Sequence, residues 1–230
     1  MRHVHHAILF FASLLAASSI ADAQRCDHPL FGNMHLLVPS GPEDVAIADF
    51  NDDGFDDIVI CGGDYDQIWI HFGRGHGLFG RRHMLNHPAV FGASRLNTGD
   101  VNNDGNIDIL AVDHIFLSGI VWHNNGGGEF TIPTMPVHSL TTNIHAMPVD
   151  ANDSLDRVIV CRSRIDVKFF GGTTFRIVPL GTNVEDSVCA DMNSDGAIDI
   201  VLADRGESAI HVVRNNRDGT LVVHHGTDCC

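Results

Sequence analysis

A nine-residue acidic pattern, D-x-N-x-D-G-x-x-D, constrains the fold of this chain more than any other feature of the sequence. Its three copies begin at Asp49, Asp100 and Asp191. Each copy runs directly into an apolar stretch rich in β-branched residues. A motif that recurs at regular intervals indicates a repeat architecture, in which each copy marks the same point of one structural unit.

A second landmark recurs in step with the acidic pattern. It is a glycine-rich turn followed by an aromatic or apolar residue, and it leads to Phe79, Phe130, Phe175 and Leu221. The two landmarks together predict four units, the third of which has a degenerate acidic loop beginning at Asp150. The predicted boundaries are 40–90 for repeat 1, 91–139 for repeat 2, 140–182 for repeat 3 and 183–226 for repeat 4, followed by a cysteine-containing tail, 227–230.

Each unit has the composition of four short strands. In repeat 1 the predicted strands are 44–48, 57–61, 67–72 and an outer strand over 78–85, each apolar and ended by a turn. No stretch shows a sustained helical period. Four strands in a unit of this size predict the blade of an all-β small β-propeller, with about four blades of four antiparallel strands. The ring is either closed or an open arc.

Segments 100–130 and 191–221 resemble the FG-GAP/VCBS-type repeats found in integrin α-chain heads and in many secreted proteins. The resemblance covers residues 30 to 226. It implies that each repeat is a propeller blade whose acidic loop joins the first two strands and holds Ca²⁺. The family usually forms seven-bladed rings, whereas this chain has room for about four blades.

The spacing within the loops fits calcium on chemical grounds as well. Ca²⁺ takes six to eight oxygen ligands, and alternate positions of a tight loop point inward. We expect side-chain ligands at positions 1, 3, 5 and 9 and a main-chain carbonyl at position 7. The predicted ligands are Asp49, Asn51, Asp53, Phe55 and Asp57, then Asp100, Asn102, Asp104, Asn106 and Asp108, and finally Asp191, Asn193, Asp195, Ala197 and Asp199.

The loop of repeat 3 departs from this pattern. When Cys161 is aligned with Cys61, Arg157 falls where repeat 1 has Asp57, and the loop is one residue shorter and lacks the glycine. We therefore predict about three calcium sites, with none in repeat 3, and a pairing of Arg157 with Asp150 or Asp153. The same loop contains the glycosylation sequon at Asn152.

The N-terminal residues 1–23 have the weakly basic start, apolar run and small-x-small site of a secretory signal peptide. The alternative is an uncleaved anchor. Segment 24–39 contains Leu30-Phe31-Gly32, which resembles the start of the outer strand at 78–80 and predicts an extra strand. We expect a secreted or extracellular protein, or a periplasmic or cell-surface one in a bacterium.

Six cysteines follow the predicted signal, which favours disulfides in an oxidising compartment. We predict that Cys26 pairs with Cys229 or Cys230 and joins the two ends of the domain. The other three, Cys61, Cys161 and Cys189, lie in apolar strand runs. For these, buried free thiols are the alternative.

The net charge of −15 argues against nucleic-acid binding, which needs clusters of Lys and Arg. The sequence has no H-E-x-x-H, C-x-x-C or nucleophile elbow, so neither a zinc site nor a hydrolase is predicted. Five aromatic residues are predicted to pack between blades, a sugar-binding face being the alternative: Trp69, Phe72, Phe79, Trp122 and Phe130.

The sequence therefore predicts a calcium-stabilised binding or adhesion module without enzymatic activity. Its expected partner is an extracellular protein or glycan, and the mature chain is expected to have no membrane span. The alternatives are an extracellular carbohydrate-active enzyme and an interaction fragment that completes its propeller with another chain.

Overall fold

The computed structural model describes residues 36–62, 67–86, 92–131, 140–181 and 183–224. Within these ranges the chain contains strands, turns and no α-helix, and its strands form four antiparallel sheets of four. The prediction of an all-β fold built from four-stranded blades is confirmed.

The strands follow the chain order within every sheet. Blade 1 contains β1 (Pro42–Ala48), β2 (Asp57–Gly62), β3 (Gln67–Gly73) and β4 (Phe79–Asn86), and blade 2 contains β5 (Ala93–Gly99), β6 (Asp108–Asp113), β7 (Ser118–Asn124) and β8 (Phe130–Thr131). Blade 3 contains β9 (Thr141–Met147), β10 (Asp156–Cys161), β11 (Arg164–Lys168) and β12 (Arg176–Pro179), and blade 4 contains β13 (Val184–Ala190), β14 (Asp199–Asp204), β15 (Ala209–Asn215) and β16 (Leu221–His224).

The acidic loops connect the first two strands of each blade. The first strand ends opposite the last aspartate of the loop, with Ala48 paired to Asp57 in blade 1 and Met147 paired to Asp156 in blade 3. The alignment of Arg157 with Asp57 is therefore wrong. The loop of repeat 3 has the same length as the others, and Cys161 lies one position further along its strand than Cys61.

Packing between neighbouring blades forms the core. One apolar cluster joins blades 1 and 2, a second joins blades 2 and 3, and a third joins blades 3 and 4. Phe72 and Trp122 are buried in the first cluster, and Phe130 packs against it. These three aromatic residues therefore pack between blades, as predicted.

The inner strands adjoin one another in the order β1, β5, β9, β13. No core cluster among the described residues joins blade 4 to blade 1. Apolar side chains on the outward sides of β1 and β13 are exposed instead. This arrangement agrees with the open-arc alternative.

The three cysteines within the described ranges are free. Burial raises the pKa of Cys61 to about 12, that of Cys161 to about 11 and that of Cys189 to about 12, which makes these thiols unreactive. The predicted signal peptide, the extra strand at Leu30-Phe31-Gly32 and the pairing of Cys26 with the C-terminal cysteines lie outside the described residues. The described part of the chain contains no helix long and apolar enough to cross a membrane.

Candidate metal-binding loops

The loop of blade 1 folds around its own side-chain oxygens. The main-chain N–H of Asp53 donates to Asp49 Oδ1 at 3.2 Å and to Asn51 Oδ1 at 3.0 Å. The N–H of Gly54 donates to Asp49 Oδ2 at 2.8 Å, and that of Phe55 donates to Asp53 Oδ1 at 2.9 Å. The oxygens at positions 1, 3 and 5 therefore point into the loop.

The loop of blade 2 repeats this network. Asp104 N–H donates to Asp100 Oδ1 at 3.1 Å and to Asn102 Oδ1 at 3.0 Å, and Gly105 N–H donates to Asp100 Oδ2 at 2.8 Å. The glycine at position 6 has a positive φ of 91°, a conformation that a side chain would strain. This requirement explains the glycine in the pattern.

The loop of blade 4 keeps most of the network and leaves one oxygen unused. Gly196 N–H donates to Asp191 Oδ2 at 3.0 Å, and Ala197 N–H donates to Asp195 Oδ1 at 2.8 Å. Asp191 Oδ1 is buried and has no hydrogen-bond partner. An unpartnered buried carboxylate oxygen is costly unless a cation compensates it, so an all-oxygen set with such an atom fits a hard cation.

In the loops of blades 2 and 4, the carboxylate at position 5 is stabilised in its charged form. Burial raises the pKa of Asp104, but hydrogen bonds from Asn106 and Asn102 outweigh it and leave that pKa below its usual value. The N–H of Ala197 lowers the pKa of Asp195, which also lies 3.5 Å from Arg214. Both carboxylates are therefore ionised at neutral pH.

The aspartate at position 9 has a structural role that the sequence argument did not assign to it. Asp57 is buried, and its carboxylate accepts the N–H of Phe50 at 2.8 Å and the N–H of Gly73 at 2.7 Å. It thus joins the loop to the end of the third strand. The same two bonds are made by Asp108, Asp156 and Asp199.

The loop of blade 3 has different residues at the ligand positions. Register with the other blades places Pro148 at position 1, Asp150 at position 3 and Asn152 at position 5. Position 6 is Asp153, which has a positive φ of 57°. The loop therefore lacks the carboxylate at position 1. It has the same length as the other loops and differs from them only in its residues.

The predicted ion pair in this loop is wrong in its partner. The cation beside Asp153 is Arg217, which reaches it from the turn between β15 and β16 of blade 4. Burial lowers the pKa of Arg157, an effect that the charge of Asp108 in blade 2 opposes. Asn152, the glycosylation candidate, is exposed.

Comparison with known proteins gives one family match and a set of similar structures. Residues 41–111, which include the first two acidic loops, match the family described as the FG-GAP-like repeat. This segment is similar to FG-GAP-like repeats. No curated protein sequence matches the chain.

The similar solved structures are propellers with little sequence identity. One is BBS1N in complex with ARL6DN, soaked with lead, with a TM-score of 0.53, 15% identity and coverage of 82% of this chain and 57% of that chain. The same complex soaked with mercury has a TM-score of 0.51 and 15% identity. That match covers 79% of this chain and 56% of the other chain. The chain thus spans somewhat more than half of the length of these propellers, and the likeness shows the fold alone.

Two buried asparagines, which the sequence argument missed, join neighbouring blades at the acidic loops. Asn124 of blade 2 donates from Nδ2 to the carbonyl of Phe50 in the loop of blade 1 at 2.7 Å. Asn215 of blade 4 donates to the carbonyl of Pro148 in the loop of blade 3 at 2.8 Å. The only sequence signal was their place in the N-N-x turns after the third strand.

One histidine lies in an acidic cluster at the opposite end of blade 4. His211 Nε2 is 3.0 Å from Asp204 Oδ2 and 3.5 Å from Glu207 Oε2. Asp204 also accepts the N–H of Gly206 at 2.7 Å and that of Glu207 at 3.2 Å. Its carboxylate therefore closes the turn between β14 and β15 and holds the imidazole in place, a local role that the scattered histidines of the sequence did not suggest.

Proposed function

We propose that this chain is a secreted, non-enzymatic binding module whose FG-GAP-like blades are stabilised by calcium. The observation that carries the proposal is the common network in the loops of blades 1, 2 and 4, in which the oxygens at positions 1, 3 and 5 point inward. The unpartnered Oδ1 of Asp191 supports it further. Three loops with one geometry are better explained by a repeated structural ion than by one reactive centre.

Calcium would be held by the side chains at positions 1, 3 and 5, with the carbonyl at position 7 and the aspartate at position 9. Three ions would offset a substantial part of the net charge of −15. At free calcium about tenfold above the dissociation constant, each site contributes about 1.4 kcal/mol to the free energy of unfolding. Three sites would contribute about 4 kcal/mol, a large fraction of the stability of an ordinary domain.

The proposed partner is an extracellular protein or glycan that binds a broad surface. Two hollows among the described residues are shallow, with volumes of about 330 and 260 Å³, and each has charged residues in its lining. Hollows of this kind are poorly suited to enclosing a small molecule. The similar propeller BBS1N is found in complex with another protein, which favours a protein partner.

Thermal unfolding in calcium and in chelator tests the proposal. We expect calcium to raise the melting temperature of the wild-type protein. Asp104→Ala should reduce this rise because it removes a ligand from one of the three sites. Asp56→Ala, an exposed aspartate at position 8 of the first loop, is the matched control and should keep the full rise. A melting temperature that is the same with and without calcium in all three proteins would refute the calcium role.

Binding is tested separately by protein and glycan arrays probed in calcium and in chelator. We expect retention of a specific partner in calcium and weaker retention after chelation. Hydrolysis of an extracellular polysaccharide by the purified chain would instead support the enzyme alternative.

A further inference from the structure

The two end blades of the arc carry faces built for contact with another blade. We call the side of a blade that points to the preceding blade its first face, and the side that points to the following blade its second face. At the interface of blades 1 and 2, the second face of blade 1 buries Ile68 and Ile70 against the first face of blade 2, which includes Leu96. The other two internal interfaces pair the same kinds of face.

Among the described residues, no blade lies against the first face of blade 1. Val45 and Ile47 of β1, which lie on this face, are 57% and 49% exposed. Strand register gives the residues equivalent to Val45 in the next two blades as Leu96 and Ile144, which are 6% and 0% exposed. The position of Val45 is therefore an interblade position in blades 2 and 3, each of which has a preceding blade.

The second face of blade 4 shows the same contrast. Val188 of β13 and Ile210 of β15 are 61% and 58% exposed. The residues equivalent to Ile210 in blades 1 and 3 are Ile68 and Ile165, which are 1% and 0% exposed because a following blade covers them. A hollow of about 330 Å³, lined in part by Ile210, lies on this face.

We propose that the second face of blade 4 docks against the first face of blade 1 of a second copy of this chain. The pairing joins the two kinds of face that already meet at all three internal interfaces, so it extends an interface that the fold repeats. A head-to-tail contact of this kind is heterologous, and it closes when the rotation returns to the start. Two four-bladed arcs give eight blades, within the usual range of four to eight, whereas three arcs would exceed it.

The N-terminal edge of the described chain adds to the apolar surface of the docking face. The carbonyl of Leu37 lies 2.8 Å from Nε2 of His71, which is on the first face of blade 1. The side chain of Leu37 is largely exposed there, beside that of Val38. These residues would be covered in the dimer, where burial of apolar area stabilises the contact by about 25 cal/mol per Å² before the cost of association.

The mass of the full chain in solution, measured by light scattering and sedimentation, tests this proposal. We expect a dimer for the wild type and a monomer for Ile47→Asp and for Ile210→Asp, because in a closed pair each change spoils both contacts. Ile177→Asp, at an exposed isoleucine of blade 3, is the matched control and should remain a dimer. A monomeric wild type would overturn the proposal.

Mixing the two variants tests the head-to-tail arrangement itself. Ile47→Asp keeps an intact blade 4 face and Ile210→Asp keeps an intact blade 1 face, so an equimolar mixture should form heterodimers through one good contact. Dissociation of only one variant would indicate that like faces meet, and would overturn the arrangement. Far-UV circular dichroism checks folding, and the milder Ile47→Ser and Ile210→Ser are read in the same way should the aspartate variants unfold.

Discussion

At the scale of single residues, the last aspartate of the acidic pattern closes each hairpin from inside. Burial raises the pKa of Asp57 and of Asp156, and the two main-chain N–H groups that each carboxylate accepts oppose that rise. A buried carboxylate without such partners would be strongly unfavourable. The residue is therefore present in all four loops, including the one that lacks the calcium pattern.

Replacing Asp108 by alanine should destabilise the protein even without calcium. The change leaves the N–H groups of Val101 and Asn124 without their acceptor inside the fold, which costs about 2–4 kcal/mol. Denaturant unfolding in chelator measures this loss apart from any metal effect. The exposed Asp56→Ala should stay within about 0.5 kcal/mol of wild type, and an equal loss in both variants would contradict the closing role.

A buried histidine between blades 3 and 4 should make the protein sensitive to mild acid. Burial lowers the pKa of His145 from 6.5 to about 4, with partial opposition from Asp186. The unfolded chain then binds more protons than the folded one between pH 4 and 6.5, so stability is lost as the pH falls through that window. The full effect is about 3 kcal/mol.

His145→Gln should flatten this dependence, since glutamine does not titrate. Urea unfolding in chelator at pH 7, 5.5 and 4.5 compares the variant with the wild type and with His224→Gln, a change at an exposed histidine. The control should lose stability as the wild type does. If His145→Gln loses as much stability between pH 7 and 4.5, the burial of His145 is not the cause.

At the scale of the elements, the glycine-rich turns fit against the preceding blade. A side chain at Gly128 would meet the ring of Phe72 of blade 1 at 2.5 Å, whereas one at Gly219 would meet Phe169 of blade 3 at an ordinary 3.5 Å. Both glycines have positive φ, 75° and 84°. The two turns therefore share a backbone requirement and differ in the space available.

The pair Gly128→Ala and Gly219→Ala separates these two effects. Each change should cost about 1 kcal/mol because alanine disfavours a positive φ. Gly128→Ala should cost about 1–3 kcal/mol more because it crowds a buried ring. Equal losses of melting temperature in the two variants would mean that Phe72 shifts without cost.

The strands were readily predicted from sequence because short apolar runs ended by turns specify them locally. The strands expected at 57–61 and 67–72 lie within β2 and β3. The register of repeat 3 was not predictable in this way, because the apolar residues of a strand do not show which position pairs with which. The alignment of Cys161 with Cys61 therefore gave the wrong register. The register is set by the hydrogen bonds that the buried carboxylate of Asp156 accepts, and these form only in the folded hairpin.

The same limit applies to the asparagines that join blades. The side chain of Asn124 bonds to a carbonyl 74 residues earlier in the chain, and nothing local distinguishes it from an ordinary turn residue. The acidic loops were predictable because the residues that shape each loop and the predicted ligands are the same nine consecutive residues. Contacts between blades are long-range and follow only once the blades are placed.

At the scale of the whole molecule, the number of bound ions distinguishes the intact loops from the degenerate one. We predict three tightly bound calcium ions per chain, measured by native mass spectrometry or by elemental analysis after dialysis. Asp191→Ala should reduce the number to two, whereas Asp150→Ala should leave three because Pro148 removes the ligand at position 1 of that loop. Four tight ions in the wild type would contradict this account of blade 3.

Side-chain amides join every pair of neighbouring blades in the arc. Asn124 joins blades 1 and 2 and Asn215 joins blades 3 and 4, while Asn97 of blade 2 donates from Nδ2 to the carbonyl of Ile144 in blade 3 at 2.8 Å. A linear array opens in separate units where one interface is weaker than the rest, and each interface of this arc has both an apolar cluster and a side-chain amide bond. Amide hydrogen exchange should therefore resolve one cooperative unit over residues 42–224, and separate opening of two halves would contradict this account.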